Sequence, residues 1–160
     1  MNMINRQGVA ALVLSASALI GIAVHESFKD TAYIPVAGDV PTIGFGSTTN
    51  LDGTPVSLGQ RTTPVAALKR LGKDVEKFEA AVKTCAPVPM HQYEFDAYVS
   101  LTYNIGSNAF CKSTLAKKLI QYDYEGACKE ILRWDKFQGK PLKGLTIRRQ
   151  EEYKTCMNIE

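Results

Sequence analysis

The sequence predicts an α+β chain, mostly helical: a small N-terminal lobe with a β-hairpin, one long connecting helix, and a larger helical lobe. Three observations predict it. Around residues 33–47 a Gly38-Asp39 turn precedes the strand-like run Thr42-Ile43-Gly44-Phe45. From Pro64 onward, Val65, Leu68, Leu71, Val75, Phe78 and Val82 recur at three- and four-residue intervals. Beyond Pro87-Val88-Pro89, several short periodic segments follow, separated by glycine- and proline-bearing turns. A chain of 160 residues buries roughly 70% of its unfolded surface. Its hydrophobic fraction of 45% and charged fraction of 22% are those of a folded globular protein. The net charge of +3 is too small and too dispersed for a nucleic-acid binder.

Gly8–Val24 carries no charge, and eight of its residues are Leu, Ile or Val. As one helix it would be about 25 Å long, slightly short of a hydrocarbon core of about 30 Å. Its remaining Ala, Gly and Ser residues make insertion marginal. Residues 1–24 are therefore expected to form a weakly apolar helix, ahead of a domain at 25–160. A cleaved signal peptide, with Ala16-Ser17-Ala18 as its processing triplet, a permanent anchor and a soluble core helix are alternatives. Arg6 on the near side orients the remainder outward.

The small lobe is expected at about 25–60, with Val36–Val40 carrying the hairpin turn. Thr62 or Thr63 before Pro64 starts the connecting helix, about 64–83. The charges Lys69, Arg70, Lys73, Asp74, Lys77 and Glu79 read as its solvated face. The helical lobe, about 88–160, is expected to hold helices near 90–105, 113–121, 124–134 and 144–157. Gly106 ends the first of them, and Gly139-Lys140-Pro141 marks a loop. Four cysteines, at 85, 111, 128 and 156, form no Cys-x-x-Cys pair, which argues against zinc. In an exported chain they read as two disulfides with three possible connectivities. Cys111 and Cys128 flank a helical hairpin, which favours Cys111–Cys128 and leaves Cys85–Cys156.

The segment Glu26-Ser-Phe-Lys-Asp-Thr-Ala-Tyr33 through Thr42-Ile-Gly-Phe-Gly46 resembles the active-site region of the phage-type lysozymes, or muralytic endolysins. Later motifs extend the resemblance in order: Gln92-Tyr-Glu-Phe-Asp-Ala97, Tyr103-Asn-Ile-Gly106, Ala109-Phe110, Ser113-Thr-Leu115, Leu132-Arg-Trp134 and Gly144-Leu-Thr-Ile-Arg148-Arg149-Gln-Glu151. Together they cover about residues 18–157. The resemblance implies a lysozyme-like fold and hydrolysis of the β-1,4 bond between the amino sugars of peptidoglycan, by a monomer without metal or cofactor. It also implies, for residues 8–24, a signal-anchor that tethers the exported chain to the inner membrane on its periplasmic face and then releases it.

Glycoside hydrolysis needs an acid to protonate the leaving oxygen, and a carboxylate or positioned water on the far side of the sugar. Glu26, which follows an apolar segment that would shelter its proton, matches the family acid. The family aspartate, counted forward from Glu26 or back from Thr42, falls on Pro35 or Val36. The hairpin is therefore one residue longer than usual, and Asp39 is the nearest carboxylate. Asp39 also reads as a turn residue, and Asp30 as a solvating charge. Thr42 matches the residue that helps hold the attacking water. Tyr33, Asn104 and Ser113 are candidate contacts to glycan or peptide. Ser47 stands where the family often has histidine. His25 and His91 belong to no legible metal or triad grouping. The rival readings are a lytic transglycosylase, which also uses one glutamate, and a non-catalytic, membrane-tethered wall-binding protein.

Overall fold

The computed structural model describes residues 5–159. Its elements are α1 (Ala16–Glu26), β1 (Lys29–Tyr33), β2 (Thr42–Gly44), α2 (Pro64–Cys85), α3 (Gln92–Ile105), α4 (Ser107–Lys112), α5 (Thr114–Ile120), α6 (Tyr124–Ile131), β3 (Lys136–Phe137), β4 (Lys140–Pro141) and α7 (Lys143–Met157). The mostly helical α+β class is as predicted. The chain forms two compact units: Leu19–Glu76, and a second that runs to Ala18 and resumes at Lys77. The N-terminal segment is therefore shared out, its first part belonging to the helical unit.

In the smaller unit, β1 and β2 pair antiparallel, with Lys29 opposite Gly44 and Tyr33 opposite Thr42. Two extra residues on β1 between those pairs make a bulge. The other edge of β1 is covered by the chain near Arg61, through Ala32 N–H to the Gln60 carbonyl and Thr62 N–H to the Asp30 carbonyl, both 2.8 Å. Ala32, Ile43 and Val56 bury together behind the strands. The start of α2 is as expected: Thr63 caps it, its hydroxyl accepting from Ala66 N–H at 3.3 Å, and Pro64 takes the first helical position.

The core of the helical unit gathers Phe95, Tyr98, Leu101, Phe110, Leu115, Leu119 and Ile131 with Val9 and Leu12 of the N-terminal segment. Gly106, at φ 90°, ends α3, and its N–H bonds the Thr102 carbonyl at 2.8 Å. Three features depart from the sequence expectations. A separate helix, α4, forms before Ser113. The loop around Gly139 is a small hairpin, β3–β4, whose central residues Gln138 and Gly139 both take positive φ, as a two-residue primed turn requires. The third is the apolar run Gly8–Val24, which is not one helix: a 3₁₀ turn at Val9–Ala11 gives way to extended chain before α1 begins at Ala16. Among the described residues no helix is long and apolar enough to cross a membrane.

The cysteine pairing expected from sequence is corrected. The bonds are Cys85–Cys111 and Cys128–Cys156, with Cα separations of 5.2 and 5.7 Å. Cys111 lies within α4, not at the head of a hairpin, and meets the end of α2. Cys128 faces α7 because α6 packs along that helix.

Candidate active site

Glu26 is the last residue of α1 and is half-buried. Ile22 and Ala23, the buried residues of this helix, stand four and three positions before it. That spacing puts Glu26 on the inward stripe of α1, while Ile20 and Val24 point to solvent. Ser27, at φ 55°, ends the helix in the left-handed region and turns the chain into β1. The Phe28 and Phe45 rings lie 5.5 Å apart, joining the residues that follow Glu26 to the turn that follows β2.

Thr42 opens β2 and is 8% exposed. Its hydroxyl donates to the Val40 carbonyl at 3.2 Å. Tyr33 is its cross-strand partner, 39% exposed, so the pairing brings these two candidates together. The strand is fixed against α2 by contact and by hydrogen bonding. Gly44, at φ 68°, approaches α2 so closely that a Cβ would stand 2.7 Å from the Ala67 Cβ. Ile43 and Ser47 exchange backbone bonds of 2.9 and 3.0 Å across the next turn. Ser47, 1% exposed, donates its hydroxyl to the Asp74 carboxylate at 2.6 Å. A buried hydroxyl on α2's acid thus occupies the position where histidine was the family expectation.

Asp39 lies on the exposed loop between the strands. Its N–H closes a turn onto the Val36 carbonyl at 3.0 Å, with Gly38 at φ 88° as the third residue. Its Oδ1 accepts from Val40 N–H at 2.8 Å. The local backbone role read from sequence is therefore present. Asp30 is exposed on β1, its carboxylate 3.4 Å from Arg61.

The two remaining candidates belong to the helical unit. Asn104 is exposed near the end of α3, and its Oδ1 accepts from Arg149 Nη1 at 3.1 Å. Ser113 is buried and structural: its hydroxyl donates to the Phe110 carbonyl at 2.6 Å and accepts from Ala116 N–H at 3.0 Å, capping α5. Both of these bonds run to the backbone, so the hydroxyl serves the turn between α4 and α5. Sequence reasoning also passed over Glu152. This buried acid takes Arg148 Nε at 3.1 Å, Arg149 Nη2 at 3.2 Å and the Ser100 hydroxyl at 2.7 Å. Burial pushes the Arg149 guanidinium down from its ordinary value, and Glu152 opposes that shift. The Arg-Arg motif with an acid three and four residues on was the available signal. Among the described residues no three His, Cys, Asp or Glu side chains gather to hold a metal ion.

The phage lysozyme family model matches residues 23–152, and the chain belongs to that family. The endolysin of Acyrthosiphon pisum secondary endosymbiont phage 1 is 39% identical, over 87% of this chain and 94% of that protein. A protein titled SAR-endolysin, from Enterobacteria phage P21, is 30% identical over 94% of this chain and 90% of its own length. The solved structure of the endolysin from Escherichia coli O157:H7 phage FAHEc1 superposes with a TM-score of 0.80 at 35% identity, covering 96% of this chain and 97% of that one. The chain is thus a lysozyme, a muralytic enzyme of the endolysin kind.

Proposed function

We propose that this lysozyme cleaves the β-1,4 bond between N-acetylmuramic acid and N-acetylglucosamine, with Glu26 as the proton donor. The observation that carries the reading is the position of Glu26: half-buried on the inward stripe of α1, one residue before the left-handed turn into the hairpin. There it protonates the glycosidic oxygen as the bond breaks. Thr42 orients the attacking water from the rigid strand, and Asp39 supplies the carboxylate that stabilises positive charge on the sugar. Tyr33, beside Thr42, offers its ring to the glycan, and Asn104 a polar contact.

Wall lysis by Glu26→Gln, Asp39→Asn and Thr42→Ala, measured side by side, tests the assignment. Glu26→Gln is expected to remove about 10²–10⁴-fold of the rate. Asp39→Asn keeps an oxygen for Val40 N–H, so any loss there reports the charge. An inert Glu26→Gln substitution would instead support the wall-binding reading. One observation favours a second enzymatic reading: Asp39 is exposed and one of its oxygens already serves the Val40 backbone. Were Asp39→Asn fully active and the products anhydro-sugars, the single-glutamate lytic transglycosylase would replace the hydrolase.

We further infer export to the bacterial periplasm as a monomer, with residues 8–24 first holding the chain to the inner membrane. Support comes from the uncharged run itself and from relatives titled SAR-endolysin. In the tethered form Glu26 sits at headgroup level and the enzyme is inactive. Replacing Gly8, Ser15, Ser17 and Gly21 together by Leu is expected to hold the chain in the membrane without lysis. Full activity of that variant would contradict the inference.

A further inference from the structure

We propose that the β3–β4 hairpin and the first turn of α7 form a docking surface for an anionic lipid bilayer. Lysines there meet headgroup phosphates, and the apolar side chains between them enter the acyl boundary. Every one of residues 136–144 is exposed, and the stretch holds three lysines and no acid. Among the described residues Lys136, Lys140 and Lys143 take part in no ion pair. The neighbouring acids are already engaged: Asp135 accepts from the Thr146 hydroxyl at 3.3 Å, and Glu130 faces Arg133 at 3.4 Å. Phe137, Leu142 and Ile147 stand among these lysines at 62%, 51% and 50% exposure.

The strand register arranges the two kinds of side chain. Lys136 pairs with Pro141, and Phe137 with Lys140. Leu142 N–H bonds the Asp135 carbonyl at 2.9 Å, carrying the ladder one step further. Alternation therefore puts Phe137, Lys140 and Leu142 on one face of the hairpin. Lys143 opens α7, and Ile147, one turn on, shares its stripe. A bilayer matches both parts of this surface: lysine stems lie along acyl chains while their ammonium groups stay at phosphate depth. Wall polymer offers carboxylates to lysine, but no apolar layer to Leu142 and Ile147. A two-stranded hairpin has open backbone edges, so it can lie at the interface and cannot enter the hydrocarbon. The surface belongs to the helical unit and is remote in sequence from residues 8–24, so it does not rest on the tethering reading above.

Trp134, the only tryptophan in the chain, stands two residues before the hairpin and serves as its probe. The purified full chain is titrated with vesicles of equal parts phosphatidylcholine and phosphatidylglycerol, their acyl chains brominated, and quenching of Trp134 is followed. The signal is the quenching beyond that given by brominated phosphatidylcholine alone, which subtracts any lipid contact made by residues 8–24. A lysine near an anionic surface is worth about five-fold in binding, so Lys136→Gln, Lys140→Gln and Lys143→Gln combined should raise the lipid needed roughly 100-fold. Phe137→Ser with Leu142→Ser keeps every charge and should weaken binding several-fold. In wild type, about 1 M salt should abolish the signal, because the screening length is then about 3 Å; this arm needs no variant. Release of reducing ends from purified peptidoglycan should stay at the wild-type rate in the lysine variant. No signal in wild type, or a signal that survives salt or lysine replacement, would overturn the proposal. A lysine variant that keeps the signal but releases reducing ends several-fold more slowly would overturn it in favour of wall polymer.

Discussion

Ser27 takes φ 55°, a conformation that costs an L-residue roughly 1–2 kcal/mol, directly after the proposed acid. A β-branched residue fits there worst. Ser27→Val is therefore expected to lower stability by about 1–2 kcal/mol and to depress lysis by displacing the end of α1. Thermal melting and turbidity assays check the two effects separately. Glu152 supports a second residue-scale prediction. Glu152→Gln leaves two buried guanidiniums without their shared acid, at a cost of about 3–5 kcal/mol measured by denaturant unfolding. At this scale the sequence was legible where a residue's role is local. Asp39 in its turn and Thr63 before Pro64 could both be read from neighbours. Ser113 could be read two ways, because a Ser-Thr pair before a helix signals a cap as strongly as a ligand. The cysteines misled, since pairing depends on which helices lie together.

The hairpin and α2 act as one element through the close approach of Gly44 to Ala67. Gly44→Ala introduces both a clash and a strained φ, for an expected loss of about 1–3 kcal/mol. Adding Ala67→Gly should relieve the clash and leave the backbone strain, so the double variant recovers only part of the stability. Calorimetry of the three proteins checks this. Element type was readable wherever periodicity was strong, as in α2. The N-terminal run reads as one helix because nothing within it forbids helix. What breaks it is Glu79 and Asp96, 65 and 81 residues away in the chain, taking the N–H groups of Leu14 and Ser15. No local pattern encodes partners at such separation.

For the whole molecule, alkaline stability offers a test of the core. Burial pushes the Tyr98 phenol well above its ordinary value. The folded state therefore keeps a proton that the unfolded chain releases. This stabilisation is complete below the unfolded value near pH 10. It declines by about 1.4 kcal/mol per pH unit above that, until the folded value is passed. Tyr98→Phe should flatten this alkaline limb in pH-dependent unfolding. Fold class and family were legible because periodicities and motifs recur along nearly the entire chain. A second carboxylate to act with Glu26 was not, since neither Pro35 nor Val36, where the family count falls, is acidic. The proposed hydrolysis rests on Glu26 transferring a proton to a wall glycan. Its most direct measurement is the release of new reducing ends from purified peptidoglycan by wild type and by Glu26→Gln, each confirmed folded by its melting transition. Wild type should generate muramic-acid reducing ends and Glu26→Gln essentially none, whereas equal release by both proteins would contradict the account.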